Sequence, residues 1–198
     1  MVINEEILYS MGAEIKKFSP TELIFREGDL PSFYFQIIKG EVKLNSYNEE
    51  GKELIQNILG NGQCIGESLL FMDKPSPMNA IALNHCTILK LSKFDFFRLL
   101  KYYPDICMDI NKCISQRLYF KLIMAQTIHS QNPAAKLKVL LDYLKSFQKE
   151  KKAFSFQIPL TRQQIASLTG ICVETAIRTI KSMERDHMLK IINQKIMY

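Results

Sequence analysis

Glu174 and Arg178 stand four residues apart in the stretch Val173-Glu174-Thr175-Ala176-Ile177-Arg178. A carboxylate and a guanidinium at that spacing share one face of a helix. They either pair with each other, for roughly a few tenths of a kcal/mol, or reach outward together as an acceptor and a forked donor. The residues before them favour the second use. Thr161 and Gln164 have the spacing of a capping box, Ile165 and Leu168 give the helix that follows an inner face, and Gly170 admits a left-handed turn. Ala176, Ile180 and Met183 then recur at helical spacing and leave Val173, Glu174, Ile177 and Arg178 on the outer, N-terminal face of a second helix. Two short helices joined by a glycine turn read as a helix-turn-helix, whose second helix enters the major groove of DNA. Thr161, Arg162 and Lys181 are placed to contact phosphates. Cys172, where the second helix opens, is a poorer cap than Ser or Thr.

Charge distribution points the same way. From residue 131 onward there are 12 Lys and Arg against 5 Asp and Glu, whereas the first 130 residues carry a net charge of only −1. The whole formal excess of +6 therefore sits on the C-terminal third, the footprint of a nucleic-acid-binding module. A chain of 198 residues with 47% hydrophobic content has enough apolar surface for two compact domains. It has no apolar run of membrane-spanning length and no basic-then-apolar leader, so a cytoplasmic location without membrane association is expected. The five cysteines, at 64, 86, 107, 113 and 172, form no CxxC and are read as reduced thiols. Cys107 and Cys113, six apart on a helix, point about 120° apart and cannot easily pair within one chain. His129 and His187 are isolated. No nucleophile–base pair, paired carboxylates or metal-ligand spacing stands out, so neither an enzyme nor a bound metal or cofactor is expected.

The elements that must carry this module follow from periodicity. Leu23 and Phe25, Phe33 to Ile38, Val42 and Leu44, Glu53–Leu59 and Ala80–Leu91 are strand-like segments separated by turn signals, which predicts a small antiparallel barrel or roll. Asp95 to Lys101 reads as a short helix, and Pro104 restarts a longer one. Ile106, Ile110, Ile114, Leu118, Leu122 and Ala125 recur along it every three or four residues. Such a stripe packs either on the chain's own roll or against a twin in a two-fold coiled coil. Asn132-Pro133 is a hinge that caps the next helix, whose inner face is Leu137, Leu140, Leu141 and Leu144. Phe154–Ile158 supplies a short strand before the helix-turn-helix.

Val173-Glu174-Thr175 with Arg178 resembles the recognition helix of the CRP/FNR family of bacterial transcription regulators, on its FNR branch. Phe25-Arg26-Glu27-Gly28-Asp29, Lys39-Gly40 and Gly62 to Ser68 resemble the glycine signatures of the family's cyclic-nucleotide-binding roll. The resemblance extends over nearly the whole chain. It implies an α+β fold: an N-terminal antiparallel β-roll, or double-stranded β-helix, over 1–103, a dimerisation helix over 104–131, and a C-terminal winged helix-turn-helix over 132–198. It favours the dimer for the apolar stripe. It also implies that Glu174 and Arg178 read one G·C pair from its two sides, in keeping with the preferences of carboxylate for cytosine N4 and of arginine for guanine O6 and N7. Ile177 stands where the family usually has Ser, so readout there becomes apolar contact with a thymine methyl. The last residues look like the family's wing hairpin.

Set against the resemblance, the effector pocket reads as vestigial or repurposed. Gly66 and Glu67 match the ribose-contacting pair of cyclic-AMP-binding relatives. The position of their phosphate-binding Arg falls on Pro77 or Met78, its Ser neighbour on Met78 or Asn79, and the adenine-contacting Thr-Ser pair on Lys121 and Leu122. No side chain at 77–79 can neutralise a phosphate, and Lys121 alone offers a charge from the long helix. An FNR-type iron–sulfur cluster needs closely spaced cysteines near the N-terminus, and none precedes Cys64. A haem would have only His85 as its obvious ligand. The expectation is a homodimeric, sequence-specific regulator that binds palindromic double-stranded DNA without control by cyclic AMP, with RNA polymerase as a candidate partner and the effector unidentified. The alternative is a cyclic-nucleotide-responsive module acting through protein association.

Overall fold

The computed structural model describes residues 2–198 apart from Lys52, residues 128–130, Lys149 and Lys151. His129 thus lies outside the described residues. Contacts divide the chain into two units, residues 1–116 and 117–198, and the division falls inside a single long helix.

The first unit is built on eight antiparallel strands: β1 (Glu14–Phe18), β2 (Leu23–Phe25), β3 (Phe33–Lys39), β4 (Val42–Tyr47), β5 (Glu53–Leu59), β6 (Cys64–Ile65), β7 (Asn79–Ala82) and β8 (Cys86–Ser92). They form two four-stranded sheets, ordered β1-β8-β3-β6 and β2-β7-β4-β5. The segment expected as one strand over Ala80–Leu91 is two strands in different sheets, broken by the turn at 83–85. Alternation along β3 and β8 serves two cores at once. Phe35, Ile37, Cys86 and Ile88 point into one apolar core with Val42, Leu44, Leu59 and Ala80. Tyr34, Leu89 and Leu91, one residue out of phase, point into a second core covered by helices.

Those helices are α1 (Glu5–Ser10), α2 (Lys93–Tyr102) and the start of α3 (Pro104–Ala125). Tyr34 stacks on Phe96 of α2 with ring centroids 4.7 Å apart. Gln36, fully buried, anchors the N-terminal segment: its Oε1 accepts from the Ile3 amide at 3.0 Å and its Nε2 donates to the Ile3 carbonyl at 2.7 Å. That pairing satisfies a polar group which would otherwise cost about 1–3 kcal/mol in the interior.

The apolar stripe of α3 does not keep to one face. Ile110 is fully buried in the helix-covered core, and Ile106 and Ile114 pack against it, whereas Leu118 and Leu122 are 57% and 55% exposed and Ala125 is also exposed. This corrects the expected six-residue seam at Ile110, whose side chain has no exposed surface to offer a second copy, while Ile106 and Ile114 are half-buried. Four-residue steps overshoot a helical turn by about 40°, so Ile106 and Leu122 point about 160° apart.

The second unit holds the end of α3 with α4 (Pro133–Ser146), α5 (Arg162–Thr169), α6 (Val173–Arg185) and the hairpin of β9 (Lys190–Ile192) and β10 (Lys195–Met197). Asn132 caps α4 by accepting from the Ala134 amide at 2.9 Å, with Pro133 in its first turn. Leu137, Leu140 and Leu141 meet Ile165, Ile180, Met183 and Phe120 in one core, with Leu144 packed at its margin. The strand expected over Phe154–Ile158 is reduced to a bridge between Gln157 and Met197. Among the described residues no helix is long and apolar enough to cross a membrane.

Candidate nucleic-acid interface

The capping box at the start of α5 is complete. Thr161 Oγ1 accepts from the Gln164 amide at 3.1 Å, and Gln164 Oε1 accepts from the Thr161 amide at 2.7 Å. At the other end Gly170 takes a left-handed φ of 68° and its N–H donates to the Ala166 carbonyl. An added Cβ there would meet nothing within 4 Å, so the demand for glycine comes from the backbone angle alone. The turn delivers α6 across α5, with Ala176, Ile180 and Met183 buried.

Burying that face turns the opposite one outward. Glu174, Arg178 and Lys181 are exposed, and Val173 and Ile177 are half-buried beside them. Among the described residues, Glu174 and Arg178 make no ion pair with each other, so both ends remain available for a polar surface. They line an open groove with Ile177, Lys181 and Arg185. Cys172 occupies the N-cap of α6 without a side-chain capping bond. Its thiol instead lies 2.9 Å from Thr175 Oγ1, and the Thr175 hydroxyl and amide hold it below the usual thiol range.

Arg162 opens α5, and its Nη1 donates to the Gln194 carbonyl at 3.2 Å in the turn of the β9–β10 hairpin. Asn193 and Gln194 both have positive φ, 49° and 64°, as a two-residue hairpin turn requires. Thr161, Arg162, Asn193, Gln194 and Lys195 border one pocket. Sequence reasoning did not identify Lys195 or the hairpin turn as part of this surface, because only the chain fold brings them to Arg162. Glu184 Oε1 accepts from the Ile191 amide at 2.9 Å and fixes the hairpin to α6.

The roll contains a cavity of about 330 Å³ whose lining includes Phe25, Asp29, Phe35, Gly66 and Lys90. Gly66 is required there: it has a φ of 67°, and a Cβ would stand 3.2 Å from the Phe25 ring. Of the remaining residues expected at an effector pocket, Glu67, Met78 and Asn79 are absent from this lining. Glu67 is fully buried elsewhere, Met78 packs at the margin of the sheet core, and Asn79 Oδ1 accepts from the Glu27 amide at 2.9 Å. Lys121 and Leu122 belong to the second unit. Lys121 is drawn down to about 8 by desolvation of its ammonium, although the residue as a whole is exposed. Lys90, not foreseen from the sequence, is the cation on the cavity lining, and its Nζ lies 3.6 Å from the centroid of the Phe33 ring. Of the six residues expected at an effector pocket, Gly66 is the one that lines this cavity.

Residues 15–103 match the family model described as a cyclic nucleotide-binding domain, and residues 137–197 match that of the Crp-like helix-turn-helix domain. The chain is 27% identical over 178 residues to the cAMP-activated global transcriptional regulator CRP of Haemophilus influenzae, covering 88% of this chain and 79% of that protein. Among solved structures it resembles the c-di-GMP responsive global regulator CLP of Xanthomonas campestris, with a TM-score of 0.76, 20% identity and 98% of each chain covered. CooA of Carboxydothermus hydrogenoformans gives a TM-score of 0.79 at 17% identity, over 97% of this chain and 85% of that one.

Proposed function

The chain belongs to the CRP/FNR family of transcription regulators, and from that premise we propose that it acts as a homodimer on a two-fold symmetric DNA site without control by cyclic AMP. The observation that carries the reading is the outer face of α6, where Glu174 and Arg178 are exposed and unpaired with each other. A carboxylate and a guanidinium held one helical turn apart fit the cytosine N4 and guanine O6/N7 edges of one G·C pair. Val173 and Ile177 beside them offer apolar contact to thymine methyls. Arg162, Lys181 and the Thr161 hydroxyl supply phosphate contacts that set register.

Two-fold assembly is supported by the exposed half of the α3 stripe. Leu118 and Leu122 leave more than half of their surfaces in water, joined by Tyr119 at 61%. Apolar surface of that size on a helix is normally covered, and a second copy of the same helix is a self-complementary cover. A dimer presents two α6 helices to half-sites about one DNA turn, or roughly 34 Å, apart. Independence from cyclic AMP is supported by the absence of Glu67, Met78 and Asn79 from the cavity lining.

Selection of bound sequences from random duplex DNA tests the reading. The expected product is an inverted repeat with one strongly preferred G·C pair in each half. Recovery of no enriched sequence, or of a single unrepeated half-site bound by one copy, would overturn it.

A further inference from the structure

The geometry points to a metal site inside the first unit, formed by Cys64, Glu67 and Cys113, that takes a thiophilic divalent cation of the zinc type. The three come from β6, the short 3-10 helix Glu67–Phe71 and α3. Their ligand atoms all lie within 4.8 Å of one another. The two sulfurs are 3.5 Å apart, and Cys113 Sγ is 4.0 Å from Glu67 Oε1. Zinc–sulfur bonds of about 2.3 Å in a tetrahedron set sulfurs about 3.8 Å apart, and a sulfur and a carboxylate oxygen about 3.5 Å apart. The two sulfurs thus stand about 0.3 Å from that spacing, and Cys113 Sγ and Glu67 Oε1 about 0.5 Å from it.

Donor type and burial choose the ion. Two soft sulfurs with one oxygen suit zinc and its borderline-soft neighbours, whereas magnesium and calcium take oxygen sets. Cys64 and Glu67 have no exposed surface, while Cys113 is half-buried. Three protein ligands leave a fourth position for water or an exogenous donor.

The same two thiols invite comparison with a disulfide. A dication binds the two sulfurs as thiolates, releasing their protons to water, and an occupied pair is closed to disulfide formation. Filling the site would fasten the segment after Gly66 to α3 and hold Glu67 in place.

Cobalt is the probe. The full chain, reduced and stripped with a chelator, is titrated with Co2+ without air. One ion per chain is expected, with a sulfur-to-cobalt charge-transfer band in the near ultraviolet and the intense visible bands of tetrahedral coordination. Zn2+ should displace the cobalt and shield two of the five thiols from alkylation. Cys64 is fully buried and its replacement risks the fold, so the discriminating variants are Cys113→Ser and Glu67→Gln. Each should weaken Co2+ binding at least about tenfold with an unchanged circular dichroism spectrum, while Cys107→Ser and Cys172→Ser leave it unaltered. Saturating Co2+ that produces no charge-transfer band in the unaltered chain would overturn the site, as would a band that survives in both discriminating variants. So would a Cys64–Cys113 disulfide that forms equally fast with and without Zn2+.

Discussion

Arg162 Nη1 reaches the carbonyl oxygen of Gln194 at 3.2 Å, a contact that joins the first residue of α5 to the turn of the β9–β10 hairpin across thirty-two positions of sequence. One guanidinium carries five donors, so a single bond to a carbonyl leaves others for a phosphate. The hairpin and the helix-turn-helix are thereby presented as one surface, and Lys181 of α6 extends it without a tie to the hairpin.

Replacing these two cations by alanine should therefore have partly different effects. Both Arg162→Ala and Lys181→Ala should weaken DNA binding evenly across sequences and lower the slope of log affinity against log salt by about 1, because each phosphate contact releases counterions. Arg162→Ala should also destabilise the second unit by about 0.5 kcal/mol through the lost hairpin bond, a small figure because the bond is exposed. Binding isotherms at several salt concentrations and a thermal melt separate the two. Equal salt slopes for both variants and the unaltered chain would remove the phosphate assignment.

Glu174→Ala and Arg178→Ala should behave otherwise. Each is expected to cost about 1–3 kcal/mol on the preferred site and to relax selectivity at one base pair, with little change on unrelated DNA. Competition binding against duplexes altered at each position measures this. An equal loss on every sequence would make both side chains mere surface charges.

For assembly, the burial along α3 divides its apolar residues into two classes of variant. Leu118→Glu or Leu122→Glu should dissociate the dimer, since burying an unpaired charge in a two-stranded seam costs several kcal/mol. Ile110→Glu should instead unfold the first unit, where that side chain has no exposed surface. Sedimentation velocity distinguishes a folded monomer from a disrupted chain. A dimer that survives both leucine variants would locate the interface elsewhere.

What could be read from the sequence was what is local. Thr161, Gln164 and Gly170 act within a turn of one another, so their spacing alone specifies the start and end of α5. The α3 stripe exposed the limit of periodicity: it reveals that a helix has apolar positions, but not that Ile110 faces the chain's own sheets while Leu118 faces outward. Cys64 and Cys113 lie forty-nine positions apart, and no spacing rule joins them. Helix α1 was not anticipated, and its placement depends on Gln36, a long-range partner for Ile3.

The C-terminal residue gives a pH prediction. Tyr198 donates its hydroxyl to Asp142 Oδ1 at 2.5 Å, and Lys138 pairs with the other carboxylate oxygen at 2.6 Å. Burial, and next the Asp142 carboxylate, push the phenol above its ordinary value of 10. Below pH 10 it is protonated in both folded and unfolded chains, and its contribution is complete. Above pH 10 the unfolded chain releases the proton while the folded one keeps it, so stability is lost as pH rises. Tyr198→Phe should cost about 0.5–1 kcal/mol at neutral pH and flatten the decline above pH 10. Melts of both proteins between neutral and strongly alkaline pH measure this, and identical alkaline slopes would discount the Asp142 contact.

Cyclic AMP should change neither DNA affinity nor thermal stability. A ligand stabilises the state it binds by RT ln(1 + [L]/Kd), so a detectable shift requires contacts that give a useful Kd. A cyclic phosphate needs a cation, and the position that would supply it falls on Pro77 or on Met78, the latter packed at the margin of the sheet core. Its ribose needs an acceptor facing the cavity, and Glu67 is buried against Cys113 instead. Lys90 does border the cavity, but its ammonium already lies over the Phe33 ring, and drawing it away forfeits about 0.5–2 kcal/mol of cation–π attraction. Calorimetry with cyclic AMP gives the answer directly. Saturable binding that Lys90→Ala or Glu67→Ala abolishes would mean that the cavity rearranges to admit the nucleotide, and would restore an ordinary cyclic-nucleotide sensor.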